Sequence, residues 1–219
     1  MSLMISQRSL YLCTPDRADL AAFLSDCIAG GVDIVQLRDK HLDARPLIAR
    51  ARIAQRVCTD LGVPFILNDR PDLALEVGAD GVHLGQDDAP IALARKILGI
   101  EAIVGLSTHH PDEFTNGLGE EVDYLSAGPV VATPTKPGRQ PTGIDYINRA
   151  RELADAWPGR TTPLPFFVTG GVTPDSIPGI FNAGARRVVV VRYLTESDDP
   201  RRAARALREA MNRASEMFD

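Results

Sequence analysis

Gly78-Ala79-Asp80-Gly81-Val82-His83-Leu84 ends one helical pattern, takes a small and then a polar step, and opens a short apolar run. The same order of events returns at Gly30-Gly31-Val32-Asp33-Ile34-Val35-Gln36-Leu37, at Glu120-Glu121-Val122-Asp123-Tyr124-Leu125 and at Gly184-Ala185-Arg186-Arg187-Val188-Val189. These four places lead into the second, fourth, sixth and eighth strand candidates of the chain. A beat that comes round once every two strand–helix units is what a ring of repeated βα units leaves in a sequence.

Working outward from that beat, eight apolar runs read as strands: Ser9–Cys13, Val32–Leu37, Pro64–Leu67, Gly81–Leu84, Ala102–Gly105, Asp123–Ala127, Pro165–Val168 and Arg187–Val191. Most are continuously apolar, the pattern of parallel strands covered on both faces. Helical patterns lie between them at Arg17–Ala29, Asp43–Leu61, Pro71–Val77, Pro90–Leu98, Pro111–Leu118, Gly143–Ala156, Pro174–Ala183 and Asp199–Met217. Proline recurs near helix starts (Pro71, Pro90, Pro111, Pro174), where its missing N–H costs nothing. Glycine recurs at helix ends (Gly30, Gly62, Gly78, Gly99, Gly184), the usual stop. Eight units over 219 residues give about 27 residues each, which suits a compact barrel. The expectation is one α/β domain over residues 1–219, a (β/α)8 barrel of the TIM type, with residues 1–8 as a short N-terminal extension. The competing architecture is an open doubly wound sheet, which usually carries a glycine-rich phosphate loop after its first strand. Here that strand is followed by Thr14-Pro15-Asp16-Arg17, without glycine, and no GxxxxGK[ST] motif occurs.

Composition narrows the function classes. Hydrophobic residues make up 44% and charged residues 24%, ordinary for a globular chain. The formal net charge is −5 and the pI about 5.4, which disfavours a broad nucleic-acid surface while leaving room for a local basic pocket. Cys13, Cys27 and Cys58 form neither a disulfide framework nor a zinc pattern and read as small apolar residues in a reducing compartment. No apolar run reaches the length of a membrane span, and Met1 to Ser9 lacks a signal-peptide core. The expectation is a cytoplasmic protein with neither nucleic acid nor membrane as partner; nothing in the composition encodes an oligomeric state.

In such a barrel the residues just beyond the C-terminal ends of the strands share one mouth. Applied strand by strand, that rule gathers Gln36, Arg38, Asp39 and Lys40 after the second. It adds Asn68, Asp69 and Arg70 after the third, Gln86, Asp87 and Asp88 after the fourth, and Ser107, Thr108, His109 and His110 after the fifth. A long loop from Gly128 to Thr142 follows the sixth, Thr169-Gly170-Gly171-Val172 the seventh, and Val191, Arg192 and Tyr193 the eighth. Arg38 and Lys40 fall on one face of an extended strand end, and Lys136 reaches in from the long loop. Arginine offers a fork for phosphate oxygens and lysine a point charge. Two carboxylates after adjacent strands, beside several cations, suit a Mg2+ ion shared with substrate phosphates. Asp69 has the alternative of capping the helix entered through Pro71, and Asp88 of capping that at Pro90. Asp87 competes with Asp88, and spacing does not choose between them. Gly170-Gly171 lets backbone N–H groups approach an anion, and Thr133-Pro134-Thr135-Lys136 adds two hydroxyls and a cation in a restrained loop. His83 reads as a barrel-interior residue. His41, His109 and His110 have no ligand spacing with cysteine, and Ser107 has no GxSxG context, so neither zinc nor a nucleophilic triad is expected.

Those rim segments also carry a resemblance. Val35-Gln36-Leu37-Arg38-Asp39-Lys40, Leu67-Asn68-Asp69-Arg70, Gly78 through Asp88, Gly105-Leu106-Ser107-Thr108-His109, Gly128-Pro129-Val130 with Thr133-Pro134-Thr135-Lys136, and Gly170-Gly171-Val172 together resemble the thiamine-phosphate synthase family, over roughly residues 9 to 200. The resemblance implies a (β/α)8 barrel that joins two phosphorylated small molecules, hydroxymethylpyrimidine diphosphate and hydroxyethylthiazole phosphate, into thiamine phosphate with release of diphosphate. It implies that Gln36, Arg38, Lys40, Asn68, Ser107 and Lys136 bind the pyrimidine diphosphate, with Lys136, Arg38 and Lys40 catalytic. Asp69 and Asp88 would hold Mg2+, in preference to Asp87. Thr133, Thr135, Gly171, Val191 and Arg192 would meet the thiazole phosphate. Arg192 departs from the serine the family often carries there; an arginine can pair with the phosphate or fold outward and leave only backbone contacts. Two other readings compete: a related barrel acting on the thiazole phosphate alone, and another phosphate-binding barrel such as an isomerase. The first is disfavoured by the intact Thr133–Lys136 segment with both Asp69 and Asp88, the second by the Gln36-x-Arg38-x-Lys40 array.

Overall fold

The computed structural model describes residues 5–131 and 140–218. Eight parallel strands close into one ring in sequence order: β1 (Leu10–Thr14), β2 (Ile34–Leu37), β3 (Phe65–Asn68), β4 (Gly81–Leu84), β5 (Ile103–Thr108), β6 (Tyr124–Ala127), β7 (Phe166–Thr169) and β8 (Val188–Val190). β8 pairs back onto β1 through Leu10↔Val188, Tyr11↔Val189 and Leu12↔Val190. Around the ring run α1 (Leu20–Ala29), α2 (Ala44–Asp60), α3 (Pro71–Val77), α4 (Ile91–Leu98), α5 (Pro111–Leu118), α6 (Gly143–Ala156), α7 (Ile177–Asn182), α8 (Arg192–Thr195) and α9 (Pro200–Phe218), preceded by a 3-10 turn at Ile5–Gln7. The expected closed barrel is the observed one. No helix among the described residues is long and apolar enough to cross a membrane.

Side-chain alternation divides the strands between two cores. Outward residues such as Leu10, Leu12, Val35, Phe65, Leu67 and Val104 pack under the helices. Inward residues Tyr11, Ile34, Ile66, Ile103, Tyr124 and Phe167 fill the lower column of the ring. Both faces being covered, the strands read as unbroken apolar runs, and the alternation is hidden from the sequence. The three aromatics meet edge to face, Tyr11 and Tyr124 with ring centroids 5.4 and 5.3 Å from that of Phe167. Room for this plug depends on Gly105, where a β-carbon would sit 2.1 Å from Cζ of Tyr124.

The sequence beat has a structural cause. The polar step before each of three even-numbered strands is an aspartate at the bottom of the ring, and its carboxylate accepts a backbone N–H from the preceding strand. Asp33 accepts from Ser9 and Leu10 at 3.0 and 2.9 Å, Asp80 from Phe65 at 2.8 Å, and Asp123 from Val104 at 2.7 Å. Arg208 of α9 adds an ion pair to Asp33 at 2.8 Å, and Arg95 of α4 one to Asp123 at 2.7 Å. Each clamp satisfies a strand-end donor that would otherwise lose water without replacement.

Several boundaries shift, for local reasons. α7 begins at Ile177, not Pro174, because Thr173 and Ser176 close a turn: the Thr173 N–H donates to the Ser176 hydroxyl at 2.9 Å and the Ser176 N–H to the Thr173 carbonyl at 3.1 Å. α1 begins at Leu20, whose N–H donates to the Arg17 carbonyl at 3.1 Å in a turn. Asn68, Ser107 and Thr108, expected beyond their strands, are the last residues within β3 and β5, held by the pairs Asn68↔His83, Ser107↔Ser126 and Thr108↔Ala127. The short α8 directly after β8 was not expected.

Gly105→Ala is expected to lower the unfolding free energy by about 3 kcal/mol through overpacking against Tyr124. Gly62→Ala, at φ 67° with nothing within 4 Å of the new methyl, should lose about 1 kcal/mol from backbone strain alone. Urea unfolding of both variants checks the difference.

Candidate active site

Above the aromatic plug the ring opens into a cavity of about 830 Å³ at the C-terminal ends of the strands. Every described residue that the resemblance assigns to substrate or metal lines it: Gln36, Arg38 and Lys40 from β2 and its loop, Asn68 and Asp69 from β3 and the turn after it, Asp88 from the loop after β4, Ser107 from β5, Gly171 after β7, and Val191 with Arg192 after β8. Thr133, Thr135 and Lys136 lie outside the described residues. Gln36, Asn68 and Ser107 are buried, only 4%, 7% and 5% exposed, so they belong to the floor. Arg38 and Lys40 stand higher, where β2 has left the ring and the Arg38 N–H still donates to the Thr14 carbonyl at 2.8 Å.

Asp69 is the centre of tension. It is the only non-glycine residue with a positive φ, 63°, among those described. An L-residue adopts that conformation at a cost. Its N–H donates to the His83 carbonyl at 2.9 Å, and the turn swings its carboxylate to the mouth beside Lys40 (3.2 Å). The Asp88 carboxylate is near enough to act on it. Burial first, then Asp88, push Asp69 above the ordinary carboxylate range against the pull of Lys40. Neither carboxylate caps a helix. The cap positions of α3 and α4 are Arg70 and Pro90, without side-chain capping bonds, and Asp88 instead accepts the Gly85 N–H at 2.6 Å.

Neighbouring candidates sort differently. Asp39 serves its own turn, accepting N–H groups from His41 and Leu42 at 2.9 and 3.0 Å. Arg70 is ion-paired with Asp72 at 2.6 Å and does not line the cavity. Asp87 does line it. After β7, Gly170 and Gly171 have φ of 97° and 71°, and a β-carbon at Gly170 would press on Pro129 at 2.6 Å. The tight turn therefore needs both glycines. Arg192 opens α8 and is half exposed. Its guanidinium donates twice to Glu196, at 2.7 and 3.1 Å, so its charge is turned along the helix.

Sequence reading missed several cavity residues. Tyr11, Cys13 and Ser126 line it, as does His83, an interior residue by its sequence. Tyr124 supports them from below, its hydroxyl 2.9 Å from that of Tyr11. A signal existed: tyrosine, cysteine, histidine and serine at alternate positions of otherwise apolar strands. His109 also lines the cavity, its Nδ1 2.9 Å from Glu113.

The family model described as thiamine monophosphate synthase matches residues 10–194. The chain is 43% identical to the thiamine-phosphate synthase of Mycobacterium sp. (strain JLS), over 94% of each chain. It is 47% identical to that of Thermobifida fusca (strain YX), over 92% of this chain and 91% of that protein. Among solved structures, the thiamine phosphate pyrophosphorylase from Pyrococcus furiosus superposes with a TM-score of 0.82 at 25% identity, over 97% of this chain and 98% of that one.

Asp69→Asn removes a carboxylate that its surroundings prefer protonated, and asparagine tolerates the left-handed backbone. The exposed partner Lys40 gives back little. The variant is expected to be more stable than wild type by about 1 kcal/mol at neutral pH, measured by thermal or urea unfolding without ligands.

Proposed function

Because the chain belongs to the thiamine monophosphate synthase family, we infer that it couples hydroxymethylpyrimidine diphosphate to hydroxyethylthiazole phosphate, giving thiamine phosphate and diphosphate. The observation that carries this reading is the meeting of Arg38, Lys40, Asp69 and Asp88 at one mouth. A cation pair beside a carboxylate pair answers a diphosphate bound with a divalent ion. A cavity of about 830 Å³ lies in the range of small-molecule sites.

Asp69 and Asp88 fit a Mg2+ ion. Among the described residues no cluster of three or more His, Cys, Asp or Glu forms a cage, and Mg2+ is commonly held by one or two carboxylates together with phosphate oxygens and water. Two carboxylates close enough to raise the pKa of Asp69 are relieved by such a charge. Bound there, the ion would supply a Lewis-acid charge to the diphosphate oxygens.

The chain's own residues do the rest. Arg38 and Lys40, with Lys136 assigned from the resemblance, take up the negative charge that develops as the methylene C–O bond breaks and its electron pair leaves on the diphosphate. Gln36, Asn68 and Ser107 hold the pyrimidine, whose amino group delocalises the positive charge left on the methylene carbon. The thiazole nitrogen then donates its lone pair to that carbon. Gly171, Val191 and Arg192, with Thr133 and Thr135, hold the thiazole phosphate and aim the nitrogen. For Arg192 this requires exchanging Glu196 for the phosphate, or contact through its backbone. No protein nucleophile is required. Cys13, Cys27 and Cys58 are free thiols, in keeping with the cytoplasmic location we assign.

Purified protein with both precursors and Mg2+ is expected to form thiamine phosphate and diphosphate; absence of product from wild type refutes the reading. Lys136→Ala and Asp69→Ala should each lower turnover at least ~100-fold, the scale of losing a preorganised transition-state contact. Near-normal rates would remove those residues from the roles given.

A further inference from the structure

Beneath the charged mouth a chain of hydrogen bonds crosses the barrel between two residues of the pyrimidine face. The Gln36 side-chain amide donates to the Tyr11 hydroxyl at 2.8 Å. Tyr11 and Tyr124 share a hydroxyl–hydroxyl bond of 2.9 Å. The Tyr124 hydroxyl meets Nδ1 of His83 at 3.0 Å, and Nε2 of His83 meets Oγ of Ser107 at 2.9 Å. Inward positions of a barrel of this kind are ordinarily filled by branched apolar residues. Five polar groups in series are therefore a costly choice unless the series performs a task.

The series has a direction. An amide nitrogen has no lone pair to offer, so Gln36 can only donate to Tyr11. Tyr11 and Tyr124 are essentially excluded from water, and burial raises both phenols above their ordinary range, so both keep their protons. The arrangement that strands neither buried proton sends that of Tyr11 to Tyr124 and that of Tyr124 to Nδ1 of His83. A neutral imidazole then carries its hydrogen on Nε2 and donates to Ser107. The Ser126 hydroxyl also donates to that of Ser107, at 3.5 Å. Accepting from His83, Ser107 points its own hydrogen away from the series. Turning the Gln36 amide over would reverse every proton and make Ser107 an acceptor toward His83.

We propose that Gln36, Tyr11, Tyr124, His83 and Ser107 form a directional hydrogen-bond wire that locks the donor sense of Ser107 to the orientation of the Gln36 amide, and that Tyr11, Tyr124 and His83 are thereby positioning residues selecting a heteroaromatic ring with a lone-pair acceptor facing Ser107. The wire rests on the reading of the cavity as a pyrimidine diphosphate site. It discriminates rings, whereas the cations at the mouth hold the diphosphate whatever ring it carries.

Tyr11→Phe and Tyr124→Phe keep the aromatic packing and remove the hydroxyl at one or the other end of the Tyr11–Tyr124 bond; His83→Phe cuts the wire at the ring. Each is expected to raise KM for the pyrimidine diphosphate at least ~10-fold, the scale of a misdirected buried hydrogen bond. KM for the thiazole phosphate and the affinity for inorganic diphosphate with Mg2+ should stay within about 2-fold. Tyr11 reaches Ser107 in this series through Tyr124 and His83, so independent roles would multiply. The wire requires Tyr11→Phe/Ser107→Ala to be no more than about 2-fold worse than Ser107→Ala alone. Unchanged KM in the three single variants, multiplicative losses in the double, or an equal loss of inorganic diphosphate affinity each overturns the wire. Wild type that makes no thiamine phosphate sinks the underlying reading instead, so the two failures are distinguishable.

Discussion

A closed ring of eight strands encloses a column of space that its own side chains must fill, and the rest of this structure follows from how that column is shared. In the lower part Tyr11, Tyr124 and Phe167 stack edge to face, admitted by the missing side chain of Gly105. Close packing at that level forms a rigid floor. Above it the inward positions pass to Gln36, Asn68, His83, Ser107 and Ser126, and the column becomes a cavity. The two hydroxyls that crown the aromatic plug also belong to the polar series of the site, so packing and recognition meet in the same two side chains.

Electrostatics then grade the cavity from floor to mouth. The floor is neutral and hydrogen-bonded, which suits a ring. The mouth carries formal charge of both signs, which suits phosphate and a divalent ion. The strain at Asp69, in its left-handed backbone beside a second carboxylate, is concentrated where charge must be handled. Functional sites commonly hold such locally unfavourable geometry at the expense of stability. On the other side of the mouth the Arg192 guanidinium is already paired with Glu196, its charge held along the helix.

Much of this was legible in the sequence, and the missing parts have physical reasons. The eight runs and the two-unit beat fixed the barrel because each even strand but the last is preceded by an aspartate clamping its neighbour: Asp33, Asp80 and Asp123. Rim residues were readable because strand ends in a barrel converge whatever their distance along the chain. Tyr11, Tyr124 and the cavity role of His83 went unread, because strands buried on both faces blur the contrast between inward and outward positions and leave only the alternate polar residues as a signal. Asn68, Ser107 and Thr108 were placed beyond their strands, since pairing with the next strand, invisible locally, carries β3 to Asn68 and β5 to Thr108. The four-residue α8 is too short to leave a period.

The ring is not equally fastened all round. β7 and β8 are registered by only Val168↔Val188 and Thr169↔Val189, where β4–β5 and β5–β6 each run to four pairs. The aspartate clamp is also absent there, its place in the beat being taken by Arg186 and Arg187. An anion seated between the loops that follow β7 and β8 would straddle this least-stitched seam. Whatever binds only the closed ring stabilises it in proportion to its occupancy. The resting barrel should therefore breathe along one meridian, exchanging its amide hydrogens fastest there, and a bound phosphate would act as the last stitch.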